Sequence, residues 1–325
     1  MADVFYSKSL SEGFLSRFKE ELLKEFGECK TIAVKIHFGE PGNKTSFVPD
    51  DVKDIIDILK KLGFEHFLYD SSVSYNSPRG NPKDHKRIAI EKGWDELGEI
   101  RTDDDFVLSK GENLVYEVCK SLIDVDGVLV LTHFKGHVCC GFGGSIKNLG
   151  MGALTKRSKS AIHDGAKPIF EGECDQCKAC ERACPVEGIV VRDKPYFESC
   201  YGCSNCVVAC PKHLIKAKVG LFDTLLADGA NSAQKMFKKY YYVSLIKNIS
   251  QRCDCAANPG KIIADDCGVL CSGDAVAIDK ASHDIVVENE GEDVFLKSNK
   301  KTGLKQVEEA ERLGMGSVEF ELVEV

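Results

Sequence analysis

Eight of the sixteen cysteines stand in two runs of one spacing. Cys174, Cys177, Cys180 and Cys184 form the first, and Cys200, Cys203, Cys206 and Cys210 the second. Each reads C-x2-C-x2-C-x3-C-P, with Pro185 or Pro211 at its end. Three cysteines this close wrap a loop so that their thiolates converge on one centre, and the proline stops the helical turn that carries the fourth. Thiolates in this density are ligands for soft metals. Zinc sites ordinarily use four ligands in two pairs, not eight in two identical runs. Disulfides need an oxidising compartment, and the opening MADVFYSKSLSEGF lacks the basic-then-apolar pattern of an export signal.

From Glu171 to Lys216 the sequence resembles the bacterial-type ferredoxins that carry two [4Fe–4S] clusters. The resemblance implies crossed ligation, because the fourth cysteine of each run reaches the other cluster. Cys174, Cys177, Cys180 and Cys210 then hold one cluster, and Cys200, Cys203, Cys206 and Cys184 hold the second.

A second group of reactive side chains follows short apolar runs. The ends of residues 31–36 and the loop beyond carry Lys35, His37, Glu40 and Asn43, those of residues 66–70 carry Asp70, Ser71, Tyr75 and Arg79, and residues 127–132 are followed by His133, Lys135 and His137. The loop GFGGSIKNLGMG comes next, with Gly141, Gly143, Gly144, Ser145, Lys147 and Asn148. It has neither the Walker A nor the dinucleotide-binding pattern. Its glycines allow backbone N–H groups to approach an anion, with Lys147 facing it, or else they make a tight turn. Cys253, Cys255, Cys267 and Cys271 form a looser set whose spacing matches no metal-site pattern, so a third metal site competes there with buried or redox thiols.

These loops need a scaffold. Helices are expected over residues 9–26, 49–62, 85–92, 113–124, 230–250, 274–289 and 302–313, and strands over 31–36, 66–70, 127–132, 167–171, 261–264 and 317–325. Alternating strands and helices predict an α/β domain, a mostly parallel sheet with helices on both faces. Residues 1–170 and 217–325 form that domain, and residues 171–216 are an inserted cluster module. In such sheets, ligands bind beyond the carboxyl ends of the strands, so the three loops should meet at one rim. There His133, His137 and Lys147 would act in catalysis. His37, Asp70, Arg79, Gly141, Gly143, Gly144, Ser145 and Asn148 would bind a second cofactor or substrate.

A length of 325 residues allows a large core, and a net charge of −8 argues against nucleic acid as a partner. No run is long enough to cross a membrane. The expected setting is the cytoplasm of an anaerobe.

Outside the cysteine module the sequence resembles the DUF362 family of iron–sulfur proteins. The resemblance is carried by VKIHFGEPGNK (Val34–Lys44), HFKGHVCCGFGGSIKNLGMG (His133–Gly152), CDCAANPG (Cys253–Gly260) and DDCGVLCSGDAVAIDKA (Asp265–Ala281). It implies an architecture shared with lactate-racemase-like proteins, a small anionic substrate, and histidine acid–base chemistry at His133 and His137. The expected function is an iron–sulfur oxidoreductase that passes electrons to that substrate or to a second cofactor such as a flavin. Its partners would be a ferredoxin- or flavodoxin-type redox protein, a small anionic ligand and a second copy in a homodimer. A dedicated electron carrier and a non-redox isomerase-like or metal-handling protein with structural clusters are the alternatives.

Overall fold

The computed structural model describes residues 1–325. The chain begins β1 (Ala2–Ser7), α1 (Glu12–Phe26), β2 (Thr31–Lys35), α2 (Lys53–Lys61), β3 (Glu65–Tyr69), α3 (Pro82–Glu91), β4 (Glu99–Arg101), β5 (Phe106–Lys110) and β6 (Val115–Cys119). It continues β7 (Gly127–His133), β8 (Lys135–His137), β9 (Gly141–Gly143), α4 (Ser145–Gly152), α5 (Lys156–Gly165), β10 (Pro168–Phe170), α6 (Ala179–Ala183), β11 (Ile189–Val191), β12 (Pro195–Phe197), α7 (Asn205–Ala209) and β13 (Ile215–Ala217). It ends α8 (Phe222–Gln234), β14 (Tyr240–Ile246), β15 (Gly268–Ser272), α9 (Ala275–Glu290), α10 (Val294–Asn299), α11 (Leu304–Arg312) and β16 (Phe320–Glu324).

Eight strands form one sheet in the order β16-β1-β15-β14-β7-β2-β3-β4. Only β15 runs antiparallel to its neighbours, so the sheet is mostly parallel and the fold is α/β. Its central strands are buried on both faces, which explains their continuous apolar runs. Along β7, Val128 and Val130 enter one core while Leu129 and Leu131 enter the other. α1 lays Phe14, Phe18, Leu22 and Phe26 on the second core, at helical spacing, and Ser11 caps it by accepting from the Phe14 N–H. The first core is covered by α4, α8 and α9.

Several elements differ from the sequence expectation. Residues 230–250 are not one helix: α8 ends at Gln234, and YYYVSLI forms β14 between β7 and β15. Aromatic and β-branched residues suit a pleated, buried position, and period-two alternation sends Tyr241 to one core and Tyr242 to the other. Residues 113–124 are likewise not one helix, and only a 3-10 turn at Lys120–Leu122 is helical. VYEVC alternates into β6, which pairs with β5 in a hairpin outside the main sheet. Residues 261–264 contribute only an isolated bridge from Ile262 to Ser250, and the strand lies at β15 instead. β1 was not anticipated; it pairs with β15 and β16.

The two cysteine runs lie in a small body with its own core of Cys180, Cys184, Ile189, Val191, Cys206 and Ile215. It is internally twofold: β10 pairs with β13, β11 with β12, and α6 and α7 occupy matching places. Left-handed backbone recurs at matching positions, Gln176 with Gly202 and Lys178 with Ser204. The second run is docked on the large domain. Ser204 Oγ donates to Ala166 O and accepts from Phe222 N, both at 3.1 Å. Lys301 Nζ donates to Cys203 O at 2.6 Å, and Asn205 Nδ2 to Lys300 O at 3.0 Å. Cys177, in the first run, is exposed.

α4 carries the glycine-loop lysine, and its position depends on a close approach to α8. A Cβ on Gly150 would stand 2.4 Å from Leu226 O. Gly150→Ala is therefore expected to push the helices apart and to cost about 1–3 kcal/mol, read as a lower denaturation midpoint. An unchanged midpoint would show that the two helices have room to adjust.

Candidate functional site

The carboxyl ends of β2, β3 and β7, with β8, α4 and α5, surround one cavity of ≈ 90 Å³. Lys35, His37, Asp70, His133, Lys135, His137, Lys147, Asn148, Lys159 and His163 reach its wall, with Phe47, Leu131, Met151 and Phe222 as apolar lining. Parallel strands put their carboxyl ends at one edge, and this is why residues so distant in sequence meet.

At the floor, Lys35 Nζ donates to Asp70 Oδ1 at 3.1 Å and to Asn148 Oδ1 at 2.8 Å. Burial pushes the Asp70 carboxyl up, but Lys35, His37, His85 and Lys159 outweigh it and hold it well below the usual carboxylate range. Lys159, on α5, donates to Ser71 Oγ at 2.8 Å and to Ser72 O at 2.6 Å. On the opposite wall, Asp254 accepts from His133 Nδ1 at 2.9 Å and pairs with Lys135 Nζ at 3.1 Å. His133 Nε2 is 2.7 Å from Lys247 O, a pure acceptor, so both ring nitrogens are spent on the scaffold. His133 presents its ring to Phe47, with centroids 4.6 Å apart.

His137 and Lys147 are less tied. The Cys139 N–H donates to His137 Nδ1 at 3.2 Å, and burial, then the Lys147 charge, holds the ring well below its ordinary value. The neutral ring therefore carries its proton on Nε2. Lys147 Nζ has a single polar partner, Cys253 Sγ at 3.4 Å. Burial, then Lys135, lowers Lys147 to about 8, and burial lowers Lys159 to about 8 as well. These values suit groups that hold and release protons near neutral pH.

Other expected site residues lie elsewhere. Arg79 is fully buried behind the cavity. It donates to Glu40 Oε2 at 2.8 and 2.6 Å and to the Tyr75 hydroxyl at 2.6 Å, and its Nη1 is 3.3 Å from His37 Nε2. It thus positions the His37 loop and does not face the cavity. The glycine loop makes no open anion cradle. The Ser145 and Ile146 N–H groups at the start of α4 donate to Asp279 Oδ1 and Oδ2 at 2.6 and 2.9 Å. Ser145 Oγ turns to Thr132, and Gly141 packs on Gly303. Gly144 borders the cavity, and its missing Cβ leaves room for Asp279. Gly143 packs beside Lys147 and Lys135.

Cys174, Cys177, Cys180 and Cys210 line one small cavity in the cysteine body. Of the four expected in the other set, Cys184 and Cys206 are packed with Cys180 in the core of the body, and Cys200 and Cys203 are half-buried. Burial and then the neighbouring Cys203 and Cys200 push the Cys206 thiol up to about 12, with Cys180 and Cys184 adding to the effect. Backbone N–H groups of Gln176, Gly188 and Gly202 donate to Cys174, Cys184 and Cys200 Sγ, each at 3.3 Å. The second set adjoins the basic cavity: His163 Nδ1 is 2.7 Å from Tyr201 O, and a cleft lined by Cys200, Tyr201, Cys139, His137 and His163 connects the two. Cys267 and Cys271 lie at β15, Cys271 in the core with Tyr241, so the four later cysteines make no common site. Instead His137, Cys253 and Cys255 come within 4.8 Å of one another through ligand-capable atoms.

Residues 32–284 match the family described as "Domain of unknown function (DUF362)". The chain belongs to this family. No curated protein matches this DUF362 chain. A solved Thermotoga maritima protein is similar at 11% identity and a TM-score of 0.42, covering 74% of this chain and 51% of that one. The lactate racemase apoprotein from Thermoanaerobacterium thermosaccharolyticum is similar at 12% identity and a TM-score of 0.38, covering 76% and 51%. The DUF362 chain thus spans about half the length of either. No helix is long and apolar enough to cross a membrane.

Lys159, His163 and Phe222 line the cavity and Asp254 backs it, without a distinctive local pattern in the sequence. Lys159 and His163 sit four apart on one face of α5, a spacing that was available but reads as an ordinary helix surface. Asp254 lies between two cysteines, which drew attention to themselves.

Asp279 gives the site a pH signature. Burial raises its carboxyl to about 7, against the ordinary carboxylate value in the unfolded chain. The folded chain therefore binds this proton more tightly. The resulting stabilisation is complete below about pH 4 and is lost as the pH rises through about 7. The stability of the wild type relative to Asp279→Asn, by chemical denaturation, should rise from about pH 8 to about pH 5. A difference that does not change with pH would contradict a protonatable carboxyl at this cap.

Proposed function

We propose that this DUF362 protein is an iron–sulfur redox protein that holds two [4Fe–4S] clusters and acts on a small anionic substrate in the basic cavity. One observation carries the reading: the second cysteine set is docked against the wall of a cavity whose four buried lysines meet few carboxylates. Lys35, Lys135, Lys147 and Lys159 line the cavity, Asp70 lines it with them, and Asp254 stands just behind. Buried charge needs a partner, so the surplus favours an anion.

The fit of the cysteines to clusters rests on their own geometry. Cys174, Cys177, Cys180 and Cys210 line one cavity, as crossed ligation asks, and N–H groups point at three of the eight sulfurs, which suits thiolate ligands. When bound, the clusters supply one-electron transfer. On this reading a redox partner meets the first set, where Cys177 is exposed, and the second passes electrons inward from Cys200, which lines the cleft beside the cavity.

The chain's own residues do the rest. Lys147 binds and orients the anion, and Lys159, held by Ser71 and Ser72, adds its charge. Phe47, Leu131, Met151 and Phe222 keep water from the reacting atoms. Lys147 holds a proton beside Cys253, and His137 Nε2–H donates a hydrogen bond. His133, with both nitrogens engaged by Asp254 and Lys247, orients the wall and leaves proton transfer to the other two.

After anaerobic purification the chain is expected to hold about eight irons and eight acid-labile sulfides, and Cys200→Ser about half. Zinc in place of iron, or about four irons in the wild type, would contradict the two-cluster reading. Lys147→Ala should leave the iron content unchanged. It should weaken the binding of pyruvate or inorganic phosphate, by calorimetry, about ten- to a hundredfold, the effect of one charge-assisted hydrogen bond. Unchanged affinity for whichever probe binds would remove Lys147 from the anion site.

A further inference from the structure

Between the basic cavity and the second cysteine set lie two sulfurs that the proposed electron path does not use. Cys253 and Cys255 flank Asp254 in the connection from β14 to β15, and their Sγ atoms are joined as a disulfide. Asp254 is pinned by His133 and Lys135, so the pair projects from a fixed point of the wall. It faces two ways. Cys255 lines the basic cavity, and both cysteines line the cleft that Cys200 and Tyr201 also line. Proton-bearing groups attend it: Lys147 Nζ is 3.4 Å from Cys253 Sγ, and a ring nitrogen of His137 lies within 4.8 Å of both sulfurs.

We propose that Cys253 and Cys255 are a dithiol–disulfide redox pair that turns successive one-electron transfers from the second cysteine set's iron–sulfur centre into a two-electron store beside the anion cavity. The electron source rests on the iron–sulfur reading; the chemistry of the two sulfurs does not. In the reductive step the S–S bond breaks as two electrons arrive, one after the other. Lys147 gives its proton to one sulfur and is reprotonated from solvent along the cleft. The other sulfur takes its proton from solvent, and the His137 Nε2–H stabilises it while it is an anion. The products are two thiols, and the ultimate reductant is a low-potential one-electron donor of the ferredoxin type.

The same atoms could be asked to hold a metal ion, but the two sulfurs are bonded to each other and the imidazole's one lone pair already accepts a hydrogen bond. The Cys139 N–H occupies Nδ1, and Nε2 carries the proton. A metal ligand needs one ring nitrogen free, with the other as donor.

The test uses the iron-loaded protein under argon. It is equilibrated in dithiothreitol buffers of graded oxidised-to-reduced ratio, free thiols are alkylated, and the peptide containing Cys253 and Cys255 is weighed. The expected result is no alkyl group at the oxidising end and two at the reducing end. Photoreduction with a deazaflavin should produce the same doubly alkylated peptide, and the wild type should take up two electrons more than the Cys253→Ser/Cys255→Ser variant. The proposal is overturned if the sulfurs stay alkylatable throughout. It is equally overturned if a non-cluster metal is lost in the double variant, or if photoreduction fills the clusters and leaves the disulfide intact. If the pair cycles in dithiothreitol in a protein that lacks cluster iron, the sulfur chemistry stands and the iron–sulfur reading alone falls.

Discussion

Four lysines are folded into the interior at one edge of the sheet, and the carboxylates that meet them are too few. Burying a charge without a partner is among the most costly things a fold can do. Asp70 is shared between Lys35 and Arg79, and Asp254 between His133 and Lys135. Lys159 is left to serine oxygens, and Lys147 to a sulfur. The fold tolerates this because the strand ends, α4 and α5 are locked by packing remote from the cavity. On the proposed function, a site held under such electrostatic load is preorganised for an anion, with most of the ordering and desolvation in place before the ligand arrives.

The docking of the cysteine body follows the same logic. Its second run is tied to the large domain by Ser204, Asn205, Lys301 and His163, the first run by Lys300, and both runs share one small core. A body with so little apolar interior depends on what its cysteines bind. Its twofold symmetry puts one cysteine set outward and one inward, an arrangement that suits passage of electrons from a partner at the surface to the cavity.

Local patterns were legible in the sequence. The doubled cysteine spacing and the polar loops after β2, β3 and β7 are short-range signals, and alternation of strands with helices was enough to bring His37, Asp70, His133, His137 and Lys147 to one rim. Features that depend on contacts across the chain were not legible. Asp254 reaches His133 over 121 residues, and Asp279 fills the amides of the glycine loop over more than that. Nothing local distinguishes Asp279 from a surface carboxylate, so the loop looked open to an external anion. Arg79 carries a charge that seemed available to a ligand, but Glu40 had already claimed it. The tyrosine run at β14 misled for a different reason. Its period-two alternation is hidden because, Ser244 apart, both faces carry apolar or aromatic residues, and its strand character comes from its neighbours in the sheet.

The central claim is that the cationic cavity and the inward cysteine set work as one unit. A buried positive charge favours the reduced, more negative state of a nearby redox centre, and its influence fades with distance. The direct measurement is a potentiometric titration of the wild type and Lys147→Met, followed by electron paramagnetic resonance. The account predicts two centres in both proteins, with the potential of one lowered in the variant and that of the other unchanged. Two unshifted potentials, or the same shift at both centres, would contradict it.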